Sequence, residues 1–255
     1  MELYISQFLL FLMLFARATA LIVVAPVIGH QSVPVQMKVA LGMFLAFVLY
    51  PLAATKAPVI ATEFLPLVLA LVQEVVVGVL IGFATGLLFA GVRYAGELIS
   101  LDTNLSAAMM FDPENNSQAS LISEFLYLAM LMVFLLLNGH HFVLEALYVS
   151  YSAVPIGGLA WSGAPAPAMI KLSAMIFIVA VKLAAPIIVA MFLLNVALSI
   201  LSRVMPQMNM FALVFPAKIG VGLFAVMAAA PLMVLTFRKL LAGFEENVLE
   251  LIKAL

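Results

Sequence analysis

The sequence predicts an all-α, membrane-associated protein with about six long, kinked apolar helices. The composition is 67% hydrophobic and 9% charged with a mean hydropathy of +1.27, whereas soluble domains are about half apolar and a quarter charged. The apolar residues form blocks near or above the ~20 residues of a membrane-spanning helix. These blocks run from about Leu3 to Ile28, Val39 to Ala54, Phe64 to Val92, Phe125 to Val149, Leu172 to Ser202 and Ile219 to Phe237. Prolines inside or beside most blocks predict kinked or broken helices.

The first block resembles a signal peptide, because the small residues Ala18, Thr19 and Ala20 follow an apolar run. Glu2 stands where a signal peptide carries a basic residue, and the apolar run resumes after Arg17. We therefore expect an uncleaved first helix. Lysines and arginines at the block ends divide five against four between the two faces, which leaves the orientation undecided.

Three charges interrupt the apolar blocks: Arg17, Glu74 and Lys182. Each costs about 2.5 to 3.5 kcal/mol at the centre of a membrane helix, so each should face protein or water. Three interpretations are open: the charges pair between helices, Arg17 and Lys182 extend to the membrane–water interface, or the charges form a proton or ion relay. The sequence does not distinguish between them. A secondary transporter would place them around a midplane site, but the two halves of the chain show no internal repeat.

The third block carries small residues at every fourth position: Gly78, Gly82, Gly86 and Ala90. Helix geometry places them on one stripe, where a neighbouring backbone can approach closely. The stripe predicts helix packing and no chemistry.

The longest polar interval runs from Arg93 to Glu124. Its Asp112-Pro113 step cannot continue a helix, because proline lacks the amide donor and restricts the preceding residue. Met109, Met110 and Phe111 therefore stand at the edge of a loop, where large apolar side chains require an apolar partner.

Other function classes find little support in the sequence. The net charge of -1 and the absence of a basic stripe argue against nucleic acid. The chain has no cysteine, and His140, His141 and Glu145 are too few ligands for a recognisable metal site. Ser162 with a histidine base would make an intramembrane protease, but it lies in a segment rich in proline and glycine that predicts a connecting loop. We expect no cofactor, no metal and no enzymatic activity.

Several separated motifs, taken in order, resemble the FliR family of flagellar export proteins, whose injectisome counterpart is the T subunit. The motifs are Ala95-Gly96-Glu97-Leu98-Ile99, Leu105-Ser106-Ala107-Ala108 with Phe111-Asp112-Pro113, Asn138-Gly139-His140, Ser152-Ala153-Val154-Pro155-Ile156-Gly157, Leu201-Ser202-Arg203-Val204-Met205-Pro206-Gln207-Met208-Asn209 and Phe215-Pro216-Ala217-Lys218-Ile219. The resemblance covers nearly the full chain.

The resemblance implies a subunit of a type III protein export gate, whose kinked helices form hairpins that pack into a multi-subunit helical cone in the bacterial inner membrane at the flagellar basal body. It implies P-type and Q-type partner subunits, a B-type switch subunit, basal-body rod or adaptor proteins, and exported substrates. Residues 1–170 would be P-like, including the loop at about 93–124, and residues 171–255 Q-like. The plug of the pore would be formed by Ser106, Ala107, Ala108, Met109, Met110, Phe111 and Asp112.

The resemblance also leaves questions open. Family members commonly carry a glutamine and a glycine before the leucine at position 105, where this chain has Asp102, Thr103 and Asn104. The glycine hinge of the family pattern is therefore missing from this loop. We group Arg203 and Lys218 with Arg17, Glu74 and Lys182 as candidate assembly charges, and an injectisome role stays open as the alternative.

Overall fold

The computed structural model describes residues 2–30, 32–54, 63–105, 120–158, 165–207 and 209–255. Within these ranges all regular secondary structure is α-helical, which confirms the predicted fold class. The helices are α1 (Glu2–Val24), α2 (Val35–Ala54), α3 (Phe64–Asp102), α4 (Leu121–Leu136), α5 (Gly139–Ala153), α6 (Pro165–Val204) and α7 (Met210–Ala254).

Four of the described helices are long and apolar enough to cross a membrane, or five spans if α4 and α5 form one broken crossing. Helices α3, α6 and α7 contain 39, 40 and 45 residues. At ~1.5 Å per residue each is about twice as long as the ~30 Å hydrocarbon core. These helices therefore extend well beyond a single bilayer crossing.

The clearest break in a helix falls where the sequence has no proline. The fourth apolar block is two helices, because the chain bends by 69° between α4 and α5. Asn138 adopts a left-handed conformation at this bend, with φ +60°, and Gly139 follows it. Asparagine tolerates such a φ better than most residues. In contrast, Pro186 lies inside continuous α6, and Pro216 and Pro231 lie inside continuous α7.

The chain divides into two compact units, each assembled from separate parts of the sequence. The first unit consists of Met1–Leu87, Asn138–Ser173 and Gly243–Leu255, and the second of Leu88–Leu137 and Ala174–Ala242. The predicted boundary at residue 170 concerns likeness to other subunits, and it stays a prediction.

The first unit packs α1 against α2 and buries a cluster that includes Leu10, Met13, Leu14, Ala46 and Ile156. The core of the second unit centres on Phe89. Its ring makes edge contacts with Tyr127 and Phe134 at centroid distances of 5.7 and 5.3 Å and a tilted contact with Phe237 at 6.2 Å. Edge-to-face geometry is preferred because the positive ring edge meets the negative ring face.

Candidate functional site

The predicted plug, Ser106 to Asp112, lies outside the described residues, which stop at Leu105 and resume at Ser120. The residues on both sides of this interval are described, and both belong to the second unit. Their geometry shows how the end of α3 and the start of α4 are held.

The end of α3 is fixed by local hydrogen bonds. Buried Thr103 donates its hydroxyl to the carbonyl of Ile99 at 2.9 Å. Asn104 then adopts φ +60°, the left-handed conformation that commonly terminates a helix. Glycine reaches this conformation without strain, and asparagine is the next most tolerant residue.

The start of α4 is capped by Ser120, whose side chain accepts a hydrogen bond from the backbone N–H of Ser123 at 3.3 Å. This is an N-cap hydrogen bond, which satisfies one of the first backbone amides that have no partner within the helix. The backbone N–H of Ser120 donates in turn to Oε1 of Glu97 on α3 at 3.3 Å. The cap therefore also attaches α4 to α3.

Gly96 allows α3 and α4 to approach closely. A Cβ atom at position 96 would collide with the backbone of Ser123. The hydroxyl of Ser123 donates to the carbonyl of Arg93 at 2.9 Å, one turn away on α3. The two helices are thus in backbone contact close to the interval that the sequence analysis assigned to the plug.

Arg93 and Glu124, the ends of the polar interval in the sequence, form an ion pair at 3.7 Å. Both side chains are half exposed, at 48% and 43%. The guanidinium of Arg93 also stands over the ring of Tyr127, 4.1 Å from its centroid, a favourable cation–π arrangement. We call the following residues the stem cluster: Arg93, Gly96, Glu97, Ser120, Ser123, Glu124 and Tyr127.

The first unit contains a second arginine–glutamate pair, which is fully buried. Arg17 on α1 and Glu74 on α3 are 0% and 1% exposed, and Nε of Arg17 donates to Oε2 of Glu74 at 2.6 Å. A second, parallel bond joins Nη2 to Oε1 at 3.0 Å. This two-bond geometry is specific to the planar guanidinium and is stronger than a single neutral hydrogen bond.

The remaining donors of Arg17 point to the carboxyl end of α5. Nη1 donates to the carbonyl of Ser150 at 2.9 Å, and Nη2 donates to the carbonyl of Val154 at 3.2 Å. The ring of Tyr151 covers the guanidinium at 4.6 Å, and the hydroxyl of Tyr151 donates to the carbonyl of Leu14 on α1. We call the following residues the α5 anchor: Arg17, Glu74, Ser150, Tyr151, Val154 and Gly157.

The small-residue stripe of α3 lies on the same helix face as Glu74, because Gly78 follows Glu74 by one turn. A Cβ at Gly78 would collide with the carbonyl oxygen of Arg17, and one at Gly82 would stand 2.8 Å from the carbonyl oxygen of Leu21. Around Gly86 a Cβ would meet open space among the described residues, and Ala90 is exposed. The first half of the stripe therefore contacts α1, and it continues the surface of the ion pair.

The other candidate charges have different surroundings. Lys182 is exposed on α6 in the second unit, Arg203 is exposed at the end of α6, and Lys218 is half-buried on α7. Of the three charges that interrupt the apolar blocks, Arg17 and Glu74 pair within the first unit, and Lys182 belongs to the second unit.

The remaining polar candidates do not assemble into a site within the described ranges. The rings of His140 and His141 lie next to each other at the start of α5, with centroids 4.2 Å apart and planes tilted by 55°. No group of three or more histidine, aspartate or glutamate side chains in the described part of the chain could hold a metal ion. Ser162 lies outside the described residues.

Sequence comparison then decides the family. The profile of bacterial export proteins, family 1, matches residues 8–244. This chain belongs to that family. A flagellar biosynthetic protein FliR from Escherichia coli (strain K12) is 35% identical over 217 residues, which cover 85% of this chain and 82% of the relative. The FliR of Bacillus subtilis (strain 168) is 30% identical over 221 residues, covering 86% and 85%. The FliR of Aquifex aeolicus (strain VF5) is 29% identical over 232 residues, covering 91% and 89%.

Membership of the export family confirms the resemblance that the ordered motifs indicated. Together with the long apolar helices, it supports a component of flagellar export located in a membrane. The α5 anchor was not predicted as a unit, although Arg17 and Glu74 were both singled out. Three of its other members, Ser150, Val154 and Gly157, act through one hydroxyl and through backbone groups, which the residue types of an apolar sequence do not indicate.

Proposed function

We propose that this chain is a non-enzymatic core subunit of the flagellar type III protein export gate in the bacterial inner membrane, at the basal body. It would assemble with P-type and Q-type subunits and a B-type switch subunit, and contact rod or adaptor proteins, exported substrates and membrane lipid. Neither a cofactor nor nucleic acid takes part. Family membership supports the export role, and the curated relatives described above are all flagellar, which favours the flagellum over the injectisome.

Within this gate, Ser106 to Asp112 form the plug. The observation that supports this assignment is the stem cluster, in which α3 and α4 are in backbone contact at Gly96 and Ser123. Because the chain leaves α3 and re-enters α4 beside each other, the intervening residues are not required to connect distant parts of the unit. They are available to occupy a channel formed with other subunits.

The proposed mechanism is exclusion of water by apolar side chains. Met109, Met110 and Phe111 would narrow the idle channel, and an apolar constriction resists the passage of ions because it loses its water. Methionine suits this role because its flexible side chain adapts to an irregular gap and can repack. An unfolded substrate entering the channel displaces these side chains.

The experiment replaces Met109, Met110 and Phe111 together with alanine in cells that assemble the complete gate. We expect increased ion leakage through idle gates, measured as loss of membrane potential per assembled complex, with export and motility recorded in parallel. The matched control replaces Met37, Met43 and Phe44, which are the same residue types and are exposed on α2. Unchanged leakage in fully assembled plug variants would exclude the plug assignment.

A separate experiment tests the flagellar assignment. The gene is expressed in strains that lack either their own flagellar subunit of this family or its injectisome counterpart. We expect restored motility in the first strain and no restored secretion in the second. The reverse pattern would favour the injectisome alternative.

A further inference from the structure

We propose that Arg17 and Glu74 are a positioning pair that attaches the carboxyl end of α5 and the turn after it to α1 and α3. The pair does not relay protons. A charged pair inside an apolar helix bundle is by default a candidate for ion or proton movement. The contacts of this pair argue for the other role. The inference concerns the first unit alone and does not depend on the plug.

The bonding capacity of Arg17 is used by its neighbours. Its guanidinium has five N–H donors. Nε and Nη2 donate to Glu74, while Nη1 and Nη2 donate to the carbonyls of Ser150 and Val154. Nη1 also lies 3.3 Å from the hydroxyl of Ser150 and from the carbonyl of Val154. The cation is therefore enclosed by acceptors on two different helices and on the residue that follows α5.

The acceptors lie at the carboxyl end of α5, where the last carbonyls of a helix have no N–H within the helix to bind. The carbonyl of Ser150 accepts the backbone N–H of Val154 at 2.9 Å, and Arg17 adds a second donor to it. A cation at that position also interacts favourably with the negative end of the helix dipole. Arg17 thus recognises the end of α5 and no other part of that helix.

Glu74 attaches the turn beyond α5. Its Oε1 accepts a hydrogen bond from the backbone N–H of Gly157 at 2.9 Å. Gly157 has φ +68°, a conformation that a residue with a Cβ reaches only with strain. The carboxylate therefore holds a turn whose geometry depends on glycine, and it does so while both of its oxygens are bound to Arg17.

The same contacts argue against proton transfer through the pair. The guanidinium does not lose a proton in proteins. Glu74 is 1% exposed, Oε2 accepts from Arg17, and Oε1 accepts from both Arg17 and Gly157. A proton on Glu74 would neutralise the counter-charge of a buried cation, which is costly. A relay also needs a route to water, and both side chains are buried.

The experiment uses reporter cysteines, since the chain contains none of its own. Val154→Cys places a thiol at the docked end of α5, where the native side chain is 2% exposed. Ala95→Cys places one at a fully buried position of the second unit. Each reporter is combined with Glu74→Gln or Arg17→Lys in cells that assemble the complete gate, and the rate of labelling by a water-soluble maleimide is measured.

We expect Glu74→Gln to increase labelling at position 154 by about tenfold or more, because it leaves Arg17 buried without a counter-charge. Labelling at position 95 should stay at its basal rate. Arg17→Lys should give an intermediate increase at position 154, since lysine keeps the charge but cannot make the two-bond contact. Lys239→Gln, which neutralises an exposed charge of α7, is the matched control and should change neither rate.

Export per assembled copy, measured across external pH, separates positioning from proton transfer. The proposal expects fewer assembled copies in the Glu74→Gln variant but an unchanged pH profile for each remaining copy. A shifted pH profile, or lost export with protected position 154, would overturn it in favour of a relay. Increased labelling at position 95 in Glu74→Gln would mean that this variant unfolds more widely, and the Arg17→Lys variant is then the one to measure. If position 154 stays protected from labelling in Arg17→Lys, the proposal is overturned.

Discussion

The α5 anchor and the stem cluster are built from the same parts in different surroundings. Each contains an arginine, a glutamate and a tyrosine ring over the guanidinium, at 4.6 Å for Tyr151 and 4.1 Å for Tyr127. The pair in the anchor is 2.6 Å apart with 0% and 1% exposure, whereas the pair in the stem cluster is 3.7 Å apart with 48% and 43% exposure. Burial therefore separates a fixed contact from an adjustable one.

The physical reason is the cost of losing a partner. In the anchor, neither charge can turn to water, so removal of one leaves the other uncompensated. In the stem cluster, water and salt replace the partner, and such exposed pairs contribute at most about 1 kcal/mol. The anchor is suited to holding α5 permanently, and the stem cluster is suited to a part of the molecule that must rearrange.

The largest expected effect comes from breaking the anchor on one side. Arg17→Leu should lower the free energy of unfolding by about 3 to 5 kcal/mol, because Glu74 stays buried without its partner. Adding Glu74→Leu should recover only part of this loss. The carbonyl of Val154 would still lose the bonds that it accepts from Arg17, at about 1 to 3 kcal/mol if it is buried dry. The measurement is detergent-induced unfolding of the purified protein in a double-mutant cycle.

The double-mutant cycle has a control variant and an outcome that would contradict the buried pair. Lys182→Leu removes an exposed charge and should stay within about 0.5 kcal/mol of the native protein. Additive effects of the two anchor substitutions would mean that the charges do not interact, which would contradict the buried pair.

A smaller effect is expected at the glycine stripe, where alanine at two of the glycines should change the stability in opposite directions. Gly78→Ala forces a Cβ against the carbonyl of Arg17, with the Cβ of Ala20 only 2.8 Å away. It should destabilise by about 1 to 3 kcal/mol, as overpacking does. Gly86→Ala meets open space among the described residues and should stabilise by up to about 1 kcal/mol through helix propensity. Thermal unfolding in the same detergent compares the two, and equal shifts would show that α1 does not press on this face.

The sequence predicted the fold class, the candidate charges and the stripe, because each depends on a local pattern of residue type and spacing. It did not predict that Glu74 and Gly78 belong to one contact surface, since the shared partner is Arg17 in another helix. The break at Asn138 was also missed. Prolines are the usual sequence signal for a helix break, but Pro186, Pro216 and Pro231 lie inside continuous helices.

For the candidate site, the sequence predicted the interval but not the arrangement of its ends. Arg93 and Glu124 were chosen as the limits of a polar stretch, and the structure pairs them. The cap at Ser120 and the close approach at Gly96 depend on the tertiary packing of α3 against α4. The plug residues Ser106 to Asp112 lie outside the described ranges, so their role stays a proposal.

The smallest expected effect is in the stem cluster, and it tests the comparison most directly. Arg93→Gln removes a half-exposed ion pair worth about 0 to 1 kcal/mol and a cation–π contact worth about 0.5 to 1 kcal/mol. The total should stay below about 2 kcal/mol and shrink in high salt, because mobile ions screen exposed pairs. Lys171→Gln, which neutralises an exposed lysine paired with Glu250 at 2.8 Å, is the control and should have a smaller effect. If Arg93→Gln were as damaging as Arg17→Leu and insensitive to salt, burial would not be what distinguishes the two clusters, and the stem cluster would have to be a fixed contact as well.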